Sequence, residues 1–189
     1  MNIKETARNS RANFLKVKNK INPNAVSLAG EFAVLSQLAL HGYDASMTLG
    51  RTKGVDILIS DPKKNRMYKL EVKTNLKNIR AEPAHSKMFG EIVSEWIMNA
   101  KHESIVDPDL FYCFVNIERG AGRFHFYIVP SKIVAKYVKK EHEFWHKKHR
   151  RRKNNATNMR LFRIGLKGCS YKIKTPTKEQ CENNWNFTK

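Results

Sequence analysis

Gly54-Val55-Asp56-Ile57-Leu58-Ile59-Ser60, then Asp61-Pro62-Lys63-Lys64-Asn65, then Met67-Tyr68-Lys69-Leu70-Glu71-Val72-Lys73-Thr74 is the stretch whose reading decides the fold. It reads as two short strands joined by a turn rich in Pro, Lys and Asn. Asp56, Glu71 and Lys73 interrupt otherwise apolar strand text. Side chains two apart on a strand share a face, so Glu71 and Lys73 emerge together while Leu70 and Val72 face the other way. Charge on such apolar strands is costly to bury unless it is paired or binds a metal. Asp56 and Glu71 are therefore candidate oxygen ligands for a divalent cation, with the backbone carbonyl of Val72 as a further one. Lys73 is placed to orient an attacking water or to stabilise charge on a phosphate. A strand-end ion pair of Lys73 with Glu71 or Asp56 accounts for the same residues without chemistry, and Glu-x-Lys alone is a very weak signal.

The remainder of the chain narrows the choice. Its 189 residues suit one domain with a substantial core. A hydrophobic fraction of 41% and a mean hydropathy of -0.60 fit a globular protein with a large polar surface. No apolar run nears the roughly 20 residues needed to cross a bilayer, and the N-terminus lacks the apolar core of a signal peptide. Cys113, Cys169 and Cys181 are odd in number and widely spaced, which argues for a reducing cytoplasm and against a disulfide framework or zinc ribbon. Thirty-six Lys and Arg oppose seventeen Asp and Glu, a formal +19 that attracts polyanions, of which nucleic acid is the commonest. The basic stretches lack the matching apolar face that a membrane-surface helix needs.

Residues 1–22 form a basic arm, helical or partly ordered. A helix capped by Asn22 or Asn24 is expected from Ala25 to His41, with Leu28, Phe32, Leu35, Leu38 and Ala39 on its apolar stripe and Gly42 as its stop. Glu31 lies in that stripe. It either sits at the stripe's edge in a surface pair or points at the site of Asp56 and Glu71. Tyr43–Leu49 reads as a strand, residues 50–54 as a glycine-bracketed loop, and Asn75–Ala84 as a polar loop. Ser86–Lys101 has Phe89, Ile92, Val93, Trp96 and Ile97 at helical spacing and is expected to be a helix. Leu110–Ile117 is a near-continuous apolar run, as for a central strand buried on both faces. Phe124–Val129 is its hairpin partner, and a helix begins at Ser131.

This order, with Gly-Val-Asp56-Ile and Leu-Glu71-Val-Lys73-Thr on successive strands behind a helix bearing Glu31, resembles the PD-(D/E)xK nuclease superfamily. That superfamily includes restriction-endonuclease-like folds and Holliday junction resolvases. The resemblance covers residues 25–75 in motif and extends to about 138 in element order. It implies a restriction-endonuclease-like α/β core, a mixed β-sheet flanked by helices in αβββαβ order, with a basic C-terminal extension. It further implies that Asp56 and Glu71 bind the metal, that Lys73 is the catalytic lysine, and that Glu31 is an auxiliary acid. Val55 stands where the family's name has Pro.

The resulting expectations are a basic arm over 1–22, a nuclease core over 23–138, and a C-terminal extension over 139–189 packed on the same domain. Mg²⁺ is the expected cofactor, with Mn²⁺ as a substitute. The expected partner is double-stranded DNA, cut by a cytoplasmic homodimer of restriction or defence type, since severing a duplex takes two nicks. A structure-selective resolvase and a non-catalytic binding module on the same fold are the alternatives. Arg51, Lys53, Lys77, Lys147, Lys148, Arg150, Arg151, Arg152 and Lys153 are expected to grip the phosphate backbone. His142-Glu143-Phe144-Trp145-His146 matches the zinc motif H-E-x-x-H, but Lys139-Lys140 and Lys147-Lys148 bracket it and would oppose a dication.

Overall fold

The computed structural model describes residues 21–48, 54–77, 84–86, 88–149 and 158–187. The first helix, α1, spans Pro23–Leu40. Pro23 at its first turn costs no hydrogen bond, and the Asn22 side chain accepts the Asn24 N–H at 2.9 Å. Gly42, at φ +80°, supplies the left-handed residue that ends it.

Five strands make the main sheet, in the order β1 (Asp44–Met47), β2 (Ile57–Asp61), β3 (Arg66–Lys77), β6 (Leu110–Glu118), β7 (Phe124–Pro130). All pairings are antiparallel except β3 with β6, where Glu71 lies beside Tyr112 and Lys73 beside Phe114. β4 (Ala84–Ser86), β5 (Gly90–Asn99) and β8 (Met159–Gly165) form a second sheet in that order. A 3-10 segment over Ala100–Glu103 follows β5; α2 spans Ser131–Lys148, and the short α3 spans Lys178–Cys181.

Each face of the main sheet carries its own core. On one, Val34 and Leu38 of α1 pack with Ile57, Leu70, Val72, Phe111 and Cys113, joined by Trp185 and Phe187 from the C-terminal stretch. On the other, Tyr112, Phe114 and Tyr127 pack with Trp96 of β5, Val134 and Tyr137 of α2, and Phe162 of β8. As expected, β6 is buried throughout up to Ile117. No helix among the described residues is long and apolar enough to cross a membrane.

Three expectations need correction. The helix over Ser86–Lys101 is instead strand β5 with part of its hairpin, so the αβββαβ order lacks its second helix. Ile92, Trp96 and Met98 are buried while Ile97 is 71% exposed, an alternation of period two. The residues Ile92, Val93, Trp96 and Ile97 satisfy helical spacing as well, but their β-branched and aromatic character suits a strand. Pairing with β8, some sixty residues downstream, settles the choice. Secondly, β3 continues to Lys77, because β6 runs beside it to Glu118 and pairs its backbone; Asn75–Lys77 is thus strand. Thirdly, the buried edge of α1 is Gly30, Val34 and Leu38, while Leu28 and Phe32 are 46% and 55% exposed.

Gly30 explains that rotation of the helix. A Cβ built there would collide with the Thr74 side chain, so α1 approaches β3 as closely as backbone allows. Gly30→Ala gains up to about 1 kcal/mol of helix propensity, yet overpacking against a short side chain costs about 1–3 kcal/mol or more. Urea unfolding is expected to show net destabilisation, partly recovered in Gly30→Ala/Thr74→Ala; a stabilised Gly30→Ala would contradict this packing.

Candidate active site

Two adjacent strands bring the charged residues together. Asp56 precedes β2, where its N–H donates to the Leu70 carbonyl at 2.9 Å. Its Oδ2 accepts the Val72 N–H at 2.7 Å. The β2–β3 ladder ends at Ile57–Leu70, so this edge of Val72 meets a side chain instead of a strand. A strand residue's N–H and C=O point to the same edge, which turns the Val72 carbonyl toward Asp56 as well.

Glu71 is 2% exposed. Its Oε1 accepts from Lys73 Nζ at 2.6 Å, so the Lys73–Glu71 ion pair is formed, in mid-strand because β3 runs on to Lys77. The same oxygen lies 3.3 Å from His102 Nε2. Because a carboxylate only accepts, that nitrogen carries the proton. Asn99 explains the ring's placement: its N–H lies 3.1 Å from His102 Nδ1 in a capping box that starts the 3-10 segment. His102 thus reaches Glu71 from behind.

The other oxygen of Glu71, Oε2, is buried and has no hydrogen-bond partner among the described residues. Beside it is Gly54, whose missing Cβ would lie 3.5 Å away and whose φ of +78° favours glycine. Leaving a buried carboxylate oxygen unmet is costly.

Electrostatics separate the three carboxyl groups. Burial acts to raise Glu71, but the His102 hydrogen bond and the Lys73 ammonium outweigh it and hold the group at about 2. Asp56 is pushed above its ordinary range by burial, reinforced by Glu71 and resisted by Val72 N–H, Lys73 and Lys101. Glu31 is also pushed up, by burial first and then by the charge of Asp56, against the opposing Ser27 hydroxyl and Lys73. α1 packs on the Leu70 and Val72 face, so Glu31 approaches from across the sheet. Its Oε1 accepts from Ser27 at 3.4 Å; it reaches Asp56 and Lys73 through the field, without a hydrogen bond among the described residues. Tyr112 beside Glu71 has its phenol pushed up by burial, by the charge of that carboxylate and by the approach of its hydroxyl to it as a donor, which falls short of full hydrogen-bond geometry.

The residues expected to grip phosphate are more scattered. Lys77 shares the face of Lys73 but is tied to Glu95, by a 3.1 Å bond to its carbonyl and a 3.7 Å ion pair. Lys147 and Lys148 lie exposed in the last turn of α2. Arg51, Lys53, Arg150, Arg151, Arg152 and Lys153 lie outside the described residues. The H-E-x-x-H residues do fall on α2, with His142 and His146 rings 4.3 Å apart. No group of three or more His, Cys, Asp or Glu with metal-holding geometry occurs among the described residues. For zinc that leaves the motif without a third ligand. Mg²⁺ keeps several waters and takes one or two carboxylates, and Asp56, just before β2, and Glu71, within β3, are two such groups here.

His102 escaped the sequence reading. Its only local signal is Asn99 three residues before it, a capping-box spacing hidden while the segment reads as helix. The depression of Glu71 means its charge stabilises the fold above the unfolded carboxyl range, and that this stability is lost as pH falls through about 2. A carboxyl NMR titration is expected to place Glu71 near 2 and to move it upward in His102→Leu and in Lys73→Met. An unchanged midpoint in both variants would contradict the geometry.

No family model and no curated protein sequence matches the chain. Among solved structures it is similar to a bacterial homing endonuclease, I-Ssp6803I, with a TM-score of 0.46 and 11% identity over 87% of this chain and 88% of that one.

Proposed function

We propose that this chain is a Mg²⁺-dependent endonuclease that hydrolyses phosphodiester bonds of duplex DNA, of restriction or defence type. One observation carries the reading. Among the described residues, Glu31, Asp56 and Glu71 gather around one contacting ammonium, Lys73, while Glu71 Oε2 stays buried without a geometric hydrogen-bond partner. An ion pair alone needs one carboxylate; the surplus negative charge in a chain of formal +19 calls for a cation.

Asp56, Glu71 Oε2 and the Val72 carbonyl would hold Mg²⁺ or Mn²⁺, with Glu31 an auxiliary acid. When bound, such an ion polarises a phosphoryl oxygen and lowers the pKa of water. The chain's own contributions are positional. The Val72 N–H fixes Asp56, and His102 with Lys73 fixes Glu71 through Oε1, leaving Oε2 to face the ion. Lys73, whose side chain is 29% exposed, stands at the mouth of the site and can orient a water or meet a phosphate oxygen. Two copies acting together would cut both strands.

Incubation with supercoiled plasmid, linear duplex and a four-way junction tests this. Cleavage with Mg²⁺ is expected to vanish in EDTA and to fall about 10²- to 10³-fold or more in Asp56→Asn, Glu71→Gln and Lys73→Met. Cutting confined to the junction would reassign the enzyme to the resolvase type. Binding without cutting under every divalent metal would sink the nuclease reading.

A further inference from the structure

The helix α2 divides its residues sharply. Val134, Ala135, Tyr137, Val138 and Glu141 are buried, whereas Lys132, Lys136, Lys139, Lys140 and Lys147 are exposed. At 3.6 residues per turn those five lysines fall within about 100° of the circumference, opposite the buried side. Glu143 is the sole acidic residue in that arc.

Lys64, Lys69, Lys73, Lys77 and Lys178 each pair with a carboxylate. None of the five on α2 lies in an ion pair with a carboxylate among the described residues, and neither do the exposed Lys63, Lys101, Lys148, Lys167, Lys172 and Lys174. What sets the five apart is that they share one straight edge. Self-repulsion on such an edge is unfavourable, and a polyanion relieves it.

The edge is also rigid and well placed. Glu141 takes a 2.6 Å bond from Arg163 of β8, which stacks over Phe89 at 4.1 Å, so α2 is anchored from below. Lysines held on a fixed helix lose less freedom on binding than lysines on a loop. α2 packs against the 3-10 segment that carries His102 and the exposed Lys101, and Lys101 lies within the field of Asp56. Lys101 thus adds a cation on the segment between the helix and the carboxylate site.

We infer that the outer face of α2, through Lys132, Lys136, Lys139, Lys140 and Lys147, is a docking surface for the phosphate backbone of a DNA duplex. It delivers that backbone to the site containing Asp56 and Glu71, and in that respect it rests on the nuclease reading. From Lys132 to Lys147 the helix runs about 22 Å, the axial length of about six phosphates of one strand. The contacts are to phosphate, so they position the duplex without reading its sequence. An anionic membrane fits the face less well. Interfacial helices flank their lysines with a broad apolar stripe, and here Ile133 is the one aliphatic side chain the helix exposes.

The test is fluorescence anisotropy of the full chain with a 30-base-pair DNA duplex across a salt series, in EDTA so that cutting does not intervene. The quadruple variant Lys132→Ala, Lys136→Ala, Lys139→Ala, Lys140→Ala removes charge from exposed helix positions where alanine is well tolerated, and circular dichroism verifies its fold. A control removes the same charge elsewhere, through Lys63→Ala, Lys167→Ala, Lys172→Ala and Lys174→Ala. The helix variant is expected to bind about tenfold or more weakly, with the salt slope reduced by roughly three at about 0.9 per phosphate. The control should shift affinity less than about threefold. Equal weakening in both variants would reduce the effect to net charge and overturn the surface, as would no change in the helix variant. Lysine-dependent capture by phosphatidylserine vesicles, with no duplex binding, would overturn it in favour of a membrane. Wild-type binding that depends on these lysines, together with no cleavage in Mg²⁺, would leave the surface standing and sink the nuclease reading.

Discussion

The buried carboxylate of Glu71 is the constraint around which the structure is arranged. A charged group that is 2% exposed needs its partners supplied by the fold, and they come from three directions. Lys73 comes from two residues along the same strand, His102 from the 3-10 segment beyond β5, and the Gly54 backbone lies beside Oε2. That arrangement places both contacts on Oε1 and leaves Oε2 buried without a hydrogen-bond partner among the described residues.

The same strand has opposite duties on its two faces. Tyr68, Leu70 and Val72 build one core with α1, and Gly30 brings that helix against Thr74 with no side chain between. Glu71, Lys73, Asn75 and Lys77 look the other way, toward the second sheet and the 3-10 segment. There Asn75 donates to Ser94 and to the Glu95 carbonyl, and Ser94 donates to Asn116. Past the charged pair the strand face is thus closed over by β5. Asp56 lies toward the other end of that face, just before β2 begins.

Charge distribution follows the same division. Acidic side chains gather where Asp56 and Glu71 meet, and five exposed lysines without an ion-pair partner among the described residues line α2. Both features oppose their own like charges in the isolated chain. The raised carboxyls of Asp56 and Glu31 record the first opposition, burial being its larger cause.

Much of this was legible in the residues alone. Alternating apolar text around Asp56, Glu71 and Lys73 determined the hairpin and placed Glu71 and Lys73 on one face, because strand periodicity is local. The near-continuous run Leu110–Ile117 likewise declared a central strand, and Asn22-Pro23 with Gly42 marked both ends of α1. Tertiary structure decided what spacing leaves ambiguous. Residues 90–99 suit a helix or a strand, and pairing with β8 made them a strand; that strand in turn set the 3-10 segment and carried His102 to Glu71. The rotation of α1 was decided by the contact of Gly30 with Thr74, forty-four positions apart in number. Local periodicity states which side chains share a face. What that face meets depends on segments far away in the chain, and the energy of those contacts is what chose between readings.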